Sequence, residues 1–296
     1  GLTVSLEPLS GPLRAGLEVF AQYSYRRISG AGDNRTWFHS FDVPRVHAAV
    51  EGEWERARGR VVLEAVRSAA EGSLVGVAGD SLVLRVREAY AAYRLLPTLE
   101  ASAGVVPTLT VPNVDGTWMM RPVAPSGLEA NGLLAPADLG AKIRFDEPNG
   151  YGWIATAAYN GDGYASRELN RGKNVESAVE LHPFAWHAGA RPFGLFASWV
   201  SGSTGSSLAR ANRLTTGLVW QASRLRAGAV FTHAWGVAQL GTQRAILVSG
   251  FVRFEPVPRV LAGARLDHAV REVGDPADAI TTIWVAGGYR IALPIE

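Results

Sequence analysis

Arginines recur in this chain on one face of alternating polar and apolar stretches. Arg14, Arg26, Arg45, Arg60, Arg85, Arg87, Lys142, Arg144, Arg213, Arg226, Arg265 and Arg290 fall on the polar parity of their segments. Glu18, Glu51, Glu53, Glu64, Glu100, Asp146, Glu176, Glu180 and Asp267 join them there. A guanidinium holds its charge under all ordinary conditions and pairs bidentately with carboxylates and anions. Across a water-filled passage, facing arginines and acids set up a transverse field that orients solutes, while an unbalanced ring of one sign selects ions. The residues expected to line such a passage and set its selectivity are Arg45, Arg60, Arg85, Arg87, Lys142, Arg144, Arg213, Arg226 and Arg265. The plainer reading is pairing between neighbouring strands that keeps an interior wet.

Covalent and metal chemistry have less to work with. His39-Ser40, His182, His187 and His233 supply histidines, but none stands in a histidine–serine–glycine context. Asp267 and His268 are adjacent, so on a strand they face opposite sides. There is no cysteine, hence no disulfide framework or thiolate metal site. No glycine-rich phosphate cradle or metal-spaced histidine cluster appears. The expectation is a protein that is not an enzyme and needs no cofactor or metal.

The elements that must carry these charges are long strands. In Arg14–Arg27, Ala15, Leu17, Val19, Ala21, Tyr23 and Tyr25 alternate with Arg14, Gly16, Glu18, Phe20, Gln22, Ser24 and Arg26. At about 3.3 Å per residue such a strand reaches roughly 40 Å, against a usual length of about five or six residues in soluble folds. The theme returns at the end, where Thr281, Ile283, Val285, Tyr289 and Ile291 alternate with Thr282, Trp284 and Arg290. The chain has 296 residues, of which 47% are hydrophobic, and a mean hydropathy of +0.05. No apolar run reaches the eighteen or so residues of a spanning helix, whereas half-apolar membrane strands escape that measure. Gly1-Leu2-Thr3-Val4 lacks a basic region followed by an apolar core, so an exported form is expected to be the mature chain. A net charge of +2, carried almost wholly by arginine, gives no reason to expect nucleic acid as a partner.

In order, residues 1–12 form a lead-in, and 13–296 are expected to be a single all-β domain. The predicted architecture is an up-and-down antiparallel transmembrane β-barrel of about fourteen strands, within a range of roughly twelve to sixteen. Short turns at 55–59, 95–98, 147–150 and 255–258 alternate with longer Gly/Asp/Ser-rich loops, as the two rims of such a barrel require. Thr108–Pro136 breaks the rhythm, and no helical periodicity longer than a turn or two is visible anywhere. A connection of that length usually carries function. Folded inward it would narrow the passage, bringing Asp115, Trp118, Arg121 and Glu129 toward the lumen arginines. Folded outward it would serve subunit contact or cover the mouth.

Aromatic residues mostly follow the apolar parity: Tyr23, Tyr25, Trp54, Tyr90, Phe145, Tyr151, Trp153, Tyr159, Phe193, Trp199, Trp220, Phe231, Phe251 and Tyr289. Many lie near strand ends, where interfacial girdles sit. A soluble barrel or sandwich would turn that face into a core, but its strands would be shorter. Phe20, Ile154, Phe196 and Trp284 fall on the inward parity and would reduce the free cross-section. Glu88 shares the parity of Tyr90 and Ala92, so either a bulge resets the register near Arg87 or Glu88 sits at a rim.

Two segments carry a resemblance. Val43-Pro44-Arg45-Val46-His47-Ala48-Ala49-Val50-Glu51-Gly52 resembles the arginine-containing, glycine-ended strand that opens phosphate-selective-type porins, the O/P family. Arg87-Glu88-Ala89-Tyr90-Ala91-Ala92-Tyr93, then Leu99–Gly104 and Pro107, is similar to that family's next hairpin. The likeness covers roughly residues 40–110. It implies an outer-membrane channel, usually sixteen-stranded and trimeric, with a pore-folded loop and basic lumen residues. The chain is short for sixteen strands, lacks a lysine-rich lumen and ends at Leu293-Pro294-Ile295-Glu296 rather than on an aromatic residue. Phosphate selectivity is therefore not part of the expectation. The expected partners are the lipid bilayer of the outer membrane and small hydrophilic solutes or anions, with a homo-oligomer or envelope complex as further assembly. The alternative is a scaffold barrel in an envelope complex, its lumen largely closed.

Overall fold

In the computed structural model, alternation along the strands becomes one continuous antiparallel sheet. The structure describes all residues except 1, 7–12, 30–34, 68–81, 122–123, 166–170, 205–207, 238–239, 276–277 and 290–296. Six strands come first: β1 (Leu2–Leu6), β2 (Leu13–Ser29), β3 (Arg35–Trp54), β4 (Ala57–Arg67), β5 (Leu82–Leu96) and β6 (Leu99–Pro107). Two helices come next, α1 (Thr110–Trp118) and α2 (Gly127–Ala130). Then come β7 (Ala137–Asp146), β8 (Gly152–Tyr159), β9 (Asn174–Leu181) and β10 (Phe193–Ser201). A small hairpin, β11 (Ser203–Thr204) and β12 (Ala209–Arg210), stands apart. The chain closes with β13 (Asn212–Gln221), β14 (Leu225–Val237), β15 (Leu240–Phe254), β16 (Val260–Val270) and β17 (Ala279–Tyr289).

Fifteen of these strands pair in sequence order, β1 to β10 and then β13 to β17, in an up-and-down meander. This is the transmembrane β-barrel expected from the alternation. Its strands reach 17 residues in β2 and 20 in β3, far beyond soluble norms. The lead-in holds a strand, since Leu2–Leu6 pairs with Leu17–Ala21. β3 begins upstream of the expected Val43 because the sheet tolerates Pro44 at an irregularity: Phe20 pairs with Arg45 and Gln22 with Asp42, leaving Pro44 out of the ladder. A residue without an N–H is best placed where no ladder bond is due. The expected loops at 29–34 and 71–80, and residues 290–292 with Arg290, lie wholly or largely outside the described residues, as does the side chain of Arg26.

Sheet curvature is visible in what the inner face touches. Arg45 on β3, Glu176 on β9, Arg213 on β13 and Arg265 on β16 are far apart in strand order, yet all contact the 108–136 segment. The sheet therefore wraps around that segment. Its outer face is apolar: Leu84, Ile143, Leu195, Leu218, Phe231, Val248 and Ile283 are all exposed.

Burial corrects four aromatic assignments and one aliphatic one. Trp153, Tyr159 and Phe251 are buried on the inner face, and Tyr90 packs against the same inner cluster as Trp153 and Tyr159. Ile154, expected inside, is 57% exposed on the outer face. The inward-folded segment supplies apolar partners inside the barrel, so inner-face aromatics gain burial that a water-filled lumen would not give. Phe20 and Phe196 point inward as expected. The Glu88 ambiguity resolves as a bulge: Val62 pairs with Glu88 and Leu63 with Val86, leaving Arg87 as the extra residue. Both Arg87 and Glu88 thereby face inward. Asp267 bonds Ser249 inside while His268 bonds Thr281 outside, so the adjacent acid and imidazole do not meet.

Candidate functional site

The segment between β6 and β7 brings its own small core. Val111, Val114, Trp118, Met120, Leu128 and Leu133 pack against Val230, Ala234, Ala245, Leu247, Phe251 and Ala269 on the inner faces of β14, β15 and β16. Trp118 is 1% exposed and meets the Phe251 ring edge-on at 5.8 Å. Its indole N–H donates to Ala124 O at 3.1 Å, meeting the polar need of a buried tryptophan. The sequence showed no helical periodicity here, and α1 still spans nine residues. Tertiary contacts account for it. The Glu176 carboxylate on β9 accepts from Leu109 N at 2.9 Å, Thr110 N at 2.9 Å and Thr110 Oγ1 at 2.5 Å. That supplies the cap that Leu109 cannot. Met119, in the left-handed region at φ 48°, ends the helix.

Three of the arginines expected to face the passage hold this segment's carbonyls. Arg213 Nε donates to Leu133 O at 3.0 Å, Arg226 Nη1 to Gly116 O at 3.0 Å and Arg265 Nη1 to Pro125 O at 2.5 Å. Arg213 and Arg265 are buried beneath the segment, and Arg265 is also paired with Asp267 at 2.9 Å. Lys142 Nζ reaches Pro107 O at 3.1 Å, one residue before the segment starts. Parity placed these side chains inward correctly but is blind to what fills the interior.

Arg45 on β3 and Arg85 and Arg87 on β5 form a wall around one carboxylate on β4. Glu64, 0% exposed, is reached by Arg45 Nε at 3.3 Å, His47 Nε2 at 3.0 Å, Arg85 Nε at 2.7 Å and Arg87 Nη1 at 3.4 Å. Tyr164, from the β8–β9 connection, donates its hydroxyl to the same carboxylate at 2.8 Å. Three guanidiniums thus share this one carboxylate. Toward the short-turn end, Arg60 bridges Glu51 at 2.7 Å and Glu88 at 3.0 Å. Arg144 chelates Asp146 and stacks 4.3 Å over Trp153.

Facing the wall, the inward segment presents Arg121 between Asp115 and Glu129. The guanidinium donates to Asp115 and lies 2.7 Å from Glu129 oxygens. Burial opposes the Arg121 charge, but Asp115 and then Glu129 outweigh it and raise its pKa further. Glu129 in turn lies 3.8 Å from Arg45, so segment and wall meet in a chain of alternating charge. Of the four residues singled out in this segment, Asp115, Arg121 and Glu129 belong to this chain and Trp118 to the core behind it.

Alternation did not single out His47 or Tyr164. His47 lies between Glu18 at 3.3 Å and Glu64 at 3.0 Å. The available signal for Tyr164 was Gly161-Asp162-Gly163-Tyr164: both glycines have positive φ, 118° and 79°, a turn chemistry that sets the direction in which the chain leaves at Tyr164. The Asp138 carboxylate accepts from Gly161 N at 2.8 Å and Gly163 N at 3.3 Å, while Tyr164 N donates to Ala137 O at 2.9 Å. Burial, and then the Glu64 charge, push the Tyr164 phenol up, so it stays a neutral donor.

No family model matches the sequence, and no curated protein matches it. Among solved structures, the Salmonella typhi OmpF complex with daunomycin is similar at 10% identity, with 97% of this chain and 89% of that chain covered and a TM-score of 0.65. Outer-membrane expressed OmpT of Vibrio cholerae is similar at 9% identity, covering 96% of this chain and 84% of that chain, with a TM-score of 0.54. At these identities the likeness is one of fold.

Proposed function

We propose that this chain is an outer-membrane porin, a passive diffusion channel for small hydrophilic solutes with weak anion preference. The observation that carries this reading is the asymmetry of the interior. The inward segment is sealed by an apolar core to β14–β16, which turns its charged edge toward the arginine wall of β3–β5. A passage between two such surfaces carries a transverse field. The excess of guanidinium over carboxylate around Glu64 gives the anion preference. The fold likeness to outer-membrane porins supports the localisation, and the charged face between segment and wall supports the conduction.

Arg45, Arg60, Arg85, Arg87 and Arg144 are the lining residues of this reading, with Asp115, Arg121 and Glu129 as the constriction. Arg213, Arg226 and Arg265 act through the segment's backbone instead, and Lys142 through the end of β6 at Pro107. Assignment to the O/P family and a trimeric assembly rest on the sequence resemblance over residues 40–110. A second reading, a scaffold barrel with a closed lumen, draws on the Arg45–Glu129 contact and the apolar core. Conductance of the purified, folded protein in a planar bilayer separates the two: stable steps support the channel, and silence supports the scaffold.

A further inference from the structure

The Tyr164 side chain lies against the arginine wall where a solute would meet it. Its ring centroid is 4.8 Å from the Arg85 guanidinium carbon and 5.6 Å from that of Arg87. Its hydroxyl accepts from Arg85 Nη2 at 3.0 Å and Arg87 Nη1 at 3.5 Å, while donating to Glu64 at 2.8 Å. The Arg87 side chain is only 8% exposed. An aromatic face over a guanidinium occupies the surface that a stacking or hydrogen-bonding solute would use. The placement is built by a turn with two left-handed glycines, capped by the Asp138 carboxylate and tied by the Tyr164 amide to Ala137 O. Ala137 and Asp138 come directly after the constriction segment, so both inward-folded loops share one anchor.

We propose that Tyr164 is a selectivity-determining residue of the channel, a tethered phenol that covers Arg85 and Arg87 and tempers the anion preference they would otherwise impose. The inference rests on the porin reading. It differs from a packing role because the phenol oxygen and ring replace solvent and anion contacts at two charged groups. Deleting the ring removes the aromatic face that lies over Arg85 and Arg87. Deleting only the hydroxyl leaves the ring stacked and removes one donor from Glu64.

The test is reversal potential in planar bilayers under a salt gradient, for wild type, Tyr164→Ala, Tyr164→Phe and Arg85→Ala, each checked for a folded barrel. Tyr164→Ala is expected to raise the anion-to-cation permeability ratio about two- to fivefold, the worth of one exposed cation–π contact. Tyr164→Phe is expected to stay near wild type, and Arg85→Ala to lower the ratio. Phenol added to Tyr164→Ala is expected to bring the ratio back toward wild type, which a loss of packing alone would not allow. An unchanged ratio in folded Tyr164→Ala, while Arg85→Ala shifts it, overturns this inference and leaves the porin reading standing. A folded wild type that does not conduct overturns both.

Discussion

At the scale of single residues, the interior holds two populations of arginine that look alike in the sequence. Arg45, Arg60, Arg85 and Arg87 work against carboxylates on the wall, whereas Arg213, Arg226 and Arg265 work against backbone carbonyls of the inward segment. Their substitutions should therefore separate. Arg45→Ala is expected to shift reversal potential toward cations. Arg213→Ala is expected to leave the sign of selectivity alone while lowering stability by about 1.5–3 kcal/mol for each charged hydrogen bond lost, read as a fall in denaturation midpoint. Glu64→Gln leaves three arginines and His47 around an uncharged group. Breaking a buried pair this way costs about 3–5 kcal/mol, and the surviving folded protein should show stronger anion preference. Alternation made the inward direction of these side chains legible. It also allowed for the cross-strand pairing seen on the wall, where Arg60 faces Glu51 and Arg85 faces Glu64 on neighbouring strands. It carried nothing on the partners of Arg213, Arg226 and Arg265, which lie 80 to 140 positions away, such as Leu133 for Arg213 and Pro125 for Arg265.

Among the elements, the inward segment is the one on whose stability the proposed channel depends for its width. Its limits, Thr108 to Pro136, were legible from composition alone and coincide with the end of β6 and the start of β7. Its helix was not legible, since Pro112 and Gly116 spoil local propensity and the decisive cap, Glu176, sits on another strand. Trp118→Ala is expected to cost about 3–5 kcal/mol, the usual range for emptying a large buried site, and to turn steady single-channel current into fluctuating current. The pairing of β5 with β6 has its own sensitive point at Gly104. At φ +123° its added Cβ would run into the backbone of Ala89 and Tyr90, so Gly104→Val should reduce the folded fraction seen by heat-modifiable gel mobility. The expected turns at 55–59 and 95–98 tighten to the two-residue turns Glu55-Arg56 and Pro97-Thr98, because Ala57–Gly59 and Leu95-Leu96 belong to the strands. The Arg87 bulge was visible only as a parity conflict at Glu88.

For the whole molecule, the sheet separates an apolar outside from an inside that carries charge on β3–β5 and an apolar core against β14–β16. Strand length and alternation were enough to read the barrel. They did not reveal that β14–β16 carry apolar residues inward, since the inward bulk expected from parity, Phe20, Ile154, Phe196 and Trp284, lies on other strands. The orientation of β8 tests the barrel directly. Ile154→Arg puts a charge on the outer face and should lower bilayer-folding yield, at a cost that grows with depth in the bilayer, whereas Thr156→Ile on the same face should be tolerated. The measurement that bears most directly on the central claim is single-channel recording of the purified, folded wild type in a planar bilayer under a salt gradient. Stable conductance steps with a reversal potential on the anion side are predicted. Silence, or a reversal potential on the cation side, would contradict the account.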